Sequence, residues 1–286
     1  MSHVSHLVRC TAALAVFATC SAQAAEWSDT YLGYRYGTDF AEPFNKNDIT
    51  KNIVNVSHVS GYKYGKNVFN VDLLMSSNLD PSAAGSNSGA HEAYALYRNT
   101  LDFGKINGTK YEFGPVRGVG ATVGFDYNSK TDAGYNSKKR MVVAGPTLML
   151  DVPGFLDVSV LAMWESNAPY STFTNQATPR YRYKTHAMLG AAWGIPFTAG
   201  IPLQFNGFLN FISAKGKNEF GGATAPETNI DAQIMYDISE NIGTPKNTFK
   251  IGVAYQYWRN KFGNPTTKSN PGATARTPMV RAEYHF

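Results

Sequence analysis

Two rings sit where strand alternation calls for polar residues. Phe208 and Trp258 fall on the polar register of their segments, beside Asn206, Asn210 and Gln256. Rings in that register can offer a flat face to a solute; they can also fill a narrow interior or mark a strand end. A second group is basic. Arg180, Arg182, Lys184 and His186 recur at every second position, so they share one face of a strand. Arg180 to Lys184 would cover roughly 13 Å at strand rise. Such a stripe suits anions or sugar hydroxyls, or pairing with Glu165 or Asp231. Arg98, with Glu92 on the same segment, poses the same choice between solute contact and pairing.

Catalytic chemistry finds little footing. Ser57 and His58 are adjacent, and adjacent strand residues point to opposite faces. His58 shares a face with Val54 and Val56, which suits a turn-proximal or girdle residue. There is no Gly-x-Ser-x-Gly elbow, no His-Glu-x-x-His helix and no phosphate-cradling glycine loop. No metal ligand set and no cofactor are expected, and an enzyme is not expected.

Met1 to Ala25 has the make-up of a secretory signal. Arg9 supplies the positive start, Thr11 to Thr19 is mostly apolar, and Ala22-Gln23-Ala24 is a small-x-small cleavage pattern. Cleavage is expected after Ala24, so that 1–24 is the signal peptide and 25–286 the mature protein; a lipid anchor at Cys20 is the lesser alternative. Cys10 and Cys20 both lie in this segment, so the mature chain holds no thiol or disulfide. Removing Arg9 from 26 basic residues leaves 25 against 21 acidic, a net charge of +4. The cations are scattered, so no nucleic-acid partner is expected.

The candidate residues need elements to hold them. Only 16% of residues are charged, whereas 13% are aromatic. That excludes a disordered chain and a coiled coil. A mean hydropathy of −0.29 speaks against a bundle of membrane helices. Period-2 alternation recurs instead. Phe69, Val71, Leu73 and Met75 oppose Asn70 and Asp72; Ile251, Val253, Tyr255 and Tyr257 oppose Lys250 and Gln256. Twelve such segments are expected, near 28–36, 51–60, 67–76, 91–103, 116–128, 139–151, 154–165, 179–193, 201–214, 226–238, 247–258 and 277–286. Most match the roughly 9–11 residues of a tilted bilayer-crossing strand. Long connections follow odd segments and mostly short ones follow even segments, with 104–115 the exception. A membrane barrel with its first strand starting in the periplasm has this parity. Ala187 to Leu203 lacks charge and hints at a helical span, but its glycines and prolines read better as strand, turn and strand.

The polar faces carry Asp72, Arg98, Glu165, Arg180, Arg182, Lys184, Asp231, Lys250, Arg281 and Glu283. A dry core would penalise so many charges, whereas a wet lumen does not. The fold class is therefore all-β, a transmembrane antiparallel β-barrel of about twelve strands, located in the bacterial outer membrane. Tyr31, Tyr34, Tyr36, Tyr127, Trp164, Tyr181 and Tyr257 are candidates for interfacial girdles. The terminal Tyr284-His285-Phe286 resembles the C-terminal signal of outer-membrane barrels, which implies recognition of Phe286 by the barrel-assembly machinery. The weighed alternatives are a soluble periplasmic β protein and a twelve-stranded phospholipase, whose Ser and His at i, i+2 on a lipid-facing surface are not seen.

Several segments in order along the chain resemble the nucleoside-specific channel-forming outer-membrane proteins, the Tsx-like family. They are Asp29-Thr30-Tyr31-Leu32-Gly33-Tyr34, Phe113-Gly114-Pro115-Val116-Arg117, Tyr181-Arg182-Tyr183-Lys184, Gly207-Phe208-Leu209-Asn210-Phe211, Val253-Ala254-Tyr255-Gln256-Tyr257-Trp258 and the chain end. The resemblance implies a narrow, monomeric, twelve-stranded barrel that passes nucleosides. It also implies use as a phage or colicin receptor. Outer-membrane lipid and lipopolysaccharide are the expected surroundings. The expected solute contacts are Phe208 and Trp258 for the base, with Asn206, Asn210, Gln256, Arg98, Arg182 and Lys184 as polar partners. The alternative is a porin for other small solutes, anions among them, which the basic stripe favours.

Overall fold

The computed structural model describes residues 25–171 and 176–286; the expected signal peptide lies outside them. Among the described residues twelve long strands form one antiparallel sheet. They are β1 (Trp27–Phe40), β2 (Ile49–Tyr62), β3 (Gly65–Ser76), β4 (His91–Asp102), β5 (Val116–Thr131), β6 (Arg140–Leu150), β7 (Phe155–Asn167), β8 (His186–Thr198), β9 (Pro202–Ile212), β10 (Glu227–Asp237), β11 (Phe249–Arg259) and β12 (Thr274–His285). Each pairs with its sequence neighbours. The last pairs with the first, Tyr31 opposite His285 and Tyr36 opposite Val280, so the sheet closes. Closure removes the edges that an open sheet would expose.

All twelve expected segments overlap these strands. The largest displacement is at β8, expected over 179–193. Tyr181–Arg182 does extend the sheet against Asn167 and Ser166. The chain then breaks, because Tyr183 turns inward and donates its hydroxyl to Glu219 at 2.5 Å. Regular pairing resumes at His186 and runs to Thr198, and the uncharged stretch is the expected strand, turn and strand.

Connections alternate in length. At the far end, opposite the start of β1, they are 41–48, 77–90, 132–139, 168–185, 213–226 and 260–273. At the near end three are short: 63–64, 151–154 and 199–201. The exceptions are 238–248 and 103–115, the latter holding one helical turn, α1 (Phe103–Asn107). Asp102 caps α1 by accepting from the Gly104 and Lys105 amides, and Gly108 ends it at φ 64°.

Side-chain direction settles which medium meets which face. Leu73, Val142, Val160, Val253 and Val280 point outward and are 50–59% exposed. Arg35, Lys51, Asn55, Lys130, Asp231 and Arg281 point inward and are nearly inaccessible. An apolar band outside a polar interior is the arrangement of a barrel solvated by lipid. Trp164, Tyr34, Tyr36 and Tyr127 stand on the outer surface, where girdle residues belong. His58 is also outward and bonds to Thr30 at 2.7 Å.

The interior is not wholly polar. Met141, Val143, Leu161, Met163, Met188 and Ile212 pack as one apolar wall, with Tyr94 against them. Phe40, Ile49, Ile53, Ala254 and Met279 form a second. Met149 and Met235 are buried too. Unbranched thioethers fit the irregular gaps of a narrow barrel.

Candidate functional site

The lumen assembles polar, charged and aromatic groups from many strands. Its far end is narrowed by paired charges, a partial seal. The 41–48 connection folds inward and buries Glu42, whose Oε1 meets Lys51 at 2.5 Å and Lys261 at 2.9 Å; Oε2 meets Lys130 at 3.3 Å. Lys130 also holds Asp80 at 2.9 Å and Asp132 at 3.2 Å. Burial works against the Glu42 carboxylate, but Lys130, Lys261 and Lys51 outweigh it and hold its pKa well below the ordinary range.

A second cluster adjoins the first. Glu165 binds Lys139, takes Lys215 on both oxygens at 2.8 and 2.7 Å, and lies 3.5 Å from His186. The Lys139 and Lys215 ammoniums sit over the Tyr183 ring, 5.2 and 4.7 Å from its centre. Burial, then Glu219 and Glu165, push the Tyr183 phenol far above its ordinary value. Tyr135 stacks on Phe262 at 5.9 Å between the two clusters.

Below this seal the walls approach by glycine and cross-strand bonds. Arg35 donates to Asp72 on β3 at 2.5 Å and Asp231 on β10 at 3.3 Å, a charged bar from one wall to the next. Arg98 bonds to Asp126, not to Glu92, which bonds Asn128 instead. The opposing Gly124 makes this fit: a Cβ there would lie 2.2 Å from the Tyr97 carbonyl and 2.7 Å from Arg98 Cδ. Tyr94 donates to the other Asp126 oxygen at 2.7 Å. Thr100, Thr122, Thr147 and Ser159 link β4 to β7 in a hydroxyl chain of 2.8, 2.6 and 2.8 Å. Lys66 reaches across from β3 to Asp157 on β7.

The expected solute residues divide. Phe208, Asp231 and Gln256 lie in one cross-strand row, with Ala192 on the other side of Phe208. Ala192 is inward yet exposed, and Phe208, Asn206 and Asn210 are half-buried, so this wall meets open space. Among the described residues Phe208 stacks on no other ring. Trp258 also faces inward, in the row of Asn210 and Asn229, but its ring is engaged. It donates to Glu227 at 2.7 Å, meets Phe262 edge-on at 5.1 Å and carries the Lys261 ammonium 4.6 Å from its centre. Arg98, on β4, stands six strands from β10, on the opposite wall.

Arg182 and Lys184 correct the sequence reading. Both are exposed, and Arg182 pairs with Ser166, which shares the outward face of Trp164. The stripe therefore faces away from the lumen up to the break at Tyr183. His186 alone of the four turns in and approaches Glu165. Apart from that approach, the expected pairings of the stripe with Glu165 or Asp231 are made by Lys139, Lys215 and Arg35. Sequence reasoning missed Glu42, Lys215, Lys261, Tyr135 and Phe262, all on connections, where no periodicity tells inward from outward. Lys130 was findable, since Asp126, Asn128 and Lys130 alternate on β5.

Fold and site together define a transmembrane antiparallel β-barrel with a narrow, charge-balanced lumen. No family model and no curated protein sequence matches the chain. Among solved structures it is similar to the KdgM porin at 11% identity, over 90% of this chain and 99% of that one, with a TM-score of 0.41. It is similar to the translocator domain of the autotransporter NalP from Neisseria meningitidis at 12%, over 100% and 98%, with a TM-score of 0.43. OmpF of Salmonella typhi, in complex with daunomycin, aligns at 10% identity over 91% and 97%, with a TM-score of 0.34. At these scores the likeness carries no functional argument; the barrel rests on its own strand register.

Proposed function

We propose that this chain is a non-enzymatic, monomeric outer-membrane channel that lets nucleosides diffuse through its lumen. The observation that carries the reading is Phe208. It is an unstacked ring on an open stretch of the inner wall, flanked by Asn206, Asn210 and Gln256 and paired in register with Asp231. A ring takes the flat base, while amides take ribose hydroxyls. Base–aromatic stacking is worth about 1–3 kcal/mol, and a few such contacts let a solute enter without trapping it. The family resemblance in the sequence points the same way. On this reading the far end faces the cell exterior, and the signal peptide, Phe286 recognition and phage or colicin binding go with it.

A channel for other small polar solutes fits the same barrel. Its anion-selective form draws less support now that Arg182 and Lys184 face outward. Single-channel current in planar bilayers separates the two. Adenosine or thymidine at millimolar levels should block current, and F208A should weaken the block. Unaltered current with either nucleoside rejects the nucleoside reading.

A further inference from the structure

The outward turn of the basic stripe leaves an unassigned site on the barrel wall. Tyr127, Arg140, Ser166 and Arg182 lie in one cross-strand row on four adjacent stretches of chain. Adjacent strands are about 4.8 Å apart, so the Arg140 and Arg182 backbones stand roughly 10 Å apart with only Ser166 between them. Arg180 folds into the gap, donating to the Ser166 hydroxyl at 3.2 Å and the Lys138 carbonyl at 3.0 Å. One guanidinium thus bonds the serine, and two more arginines flank it in register on either side. Among the described residues neither Arg140 nor Arg182 has a carboxylate partner. Burial and then Arg140 push the Arg180 guanidinium below the ordinary arginine value, with Tyr127 opposing them.

The place of the cluster names the anion. The next outward row toward the middle of the barrel is Val142 and Trp164, 52% and 48% exposed, and Tyr127 is 44% exposed. The arginines therefore stand at the top of the apolar band, at the far end, where lipid headgroups meet the wall. We infer that Arg140, Arg180 and Arg182 form a binding site for the phosphate of a phosphorylated glycolipid of the outer leaflet, the lipid A class. Planar guanidiniums match phosphate oxygens in bidentate fashion, and the acyl chains continue down over Trp164 and Val142. Ser166 supplies a hydroxyl at the centre.

The inference rests on the outer-membrane placement, not on nucleosides. Its test is native mass spectrometry of the purified barrel in detergent, titrated with bisphosphorylated lipid A and with the same lipid stripped of phosphate. Wild type should hold the bisphosphorylated form at least about tenfold more tightly. R140Q/R182Q should lose that preference while keeping heat-modifiable migration and unchanged channel current. R140K/R182K should keep part of it, since the charge remains and the planar fork is lost. Equal binding of the two lipids by wild type, or an unchanged preference in R140Q/R182Q, overturns the site. Recovery of the native protein in the soluble periplasmic fraction would instead overturn the membrane placement, an outcome distinct from equal lipid binding by a membrane-resident barrel.

Discussion

At the far end of the lumen, Glu42 gathers three lysines and Glu165 two more, all nearly inaccessible. Toward the near end, hydroxyls from Thr100 to Ser159 hold the wall, and at mid-height Phe208 stands half-open beside an exposed Ala192. The far end is thus a partial seal of buried lysines and carboxylates, whereas the wall below it mixes neutral hydroxyls with separate ion pairs such as Lys66–Asp157 and Arg281–Glu283. Buried ion pairs add little net stability, but removing one partner strands the other. The seal is therefore specific and brittle. Neutral hydrogen bonds near about 1 kcal/mol each make a wall that tolerates change.

The sharpest way to break this contrast is E42Q. It leaves Lys51 and Lys261 without their shared carboxylate, which costs about 3–5 kcal/mol for a buried ion. The urea midpoint in detergent should fall, and open-channel current should rise. Acid should do the same to wild type. A carboxylate with a lowered pKa contributes stability that is fully present above the ordinary value of 4.5 and is lost as pH falls through its lowered value. Current should therefore hold its neutral-pH level and climb only well below pH 4.5, while E42Q, which keeps only the Glu165 cluster, shows a smaller step.

Exchanging rings sharpens the contrast at smaller scale. F208A should raise the half-blocking nucleoside concentration about tenfold, as loss of one stacked base implies, with little change in stability. W258A should do the reverse, destabilising the seal through Glu227, Lys261 and Phe262 while leaving block nearly intact. Smallest should be T122V, which cuts the hydroxyl chain at its centre and should cost about 1 kcal/mol in urea unfolding. A T122V effect as large as that of E42Q would erase the distinction between the halves.

The sequence made the barrel wall legible because lipid enforces it. Each outward Val or Leu must alternate with an inward residue, so the faces of β3 and β11 follow from spelling alone. The same rule failed where the sheet breaks. Regular alternation from Arg180 to His186 put three cations and a histidine on one face, but the inward turn of Tyr183 returns His186 to the lumen and leaves the others outside. Phe208, Asn206, Asn210 and Gln256 were placed correctly by register. Trp258 was too, but its engagement with Phe262 and Lys261 depends on a connection that alternation does not govern. The seal escaped notice for that reason: Glu42, Lys215 and Lys261 belong to connections, and their meeting is a long-range event.

The pairing of Tyr31 with His285 and of Tyr36 with Val280 bears on biosynthesis. These partners are separated by nearly the whole polypeptide, so their loop-closure entropy is among the highest in the molecule. No intermediate short of the final strand can be edge-free. Translation and export must finish first, and the nascent ribbon needs chaperoning against aggregation until its two ends meet.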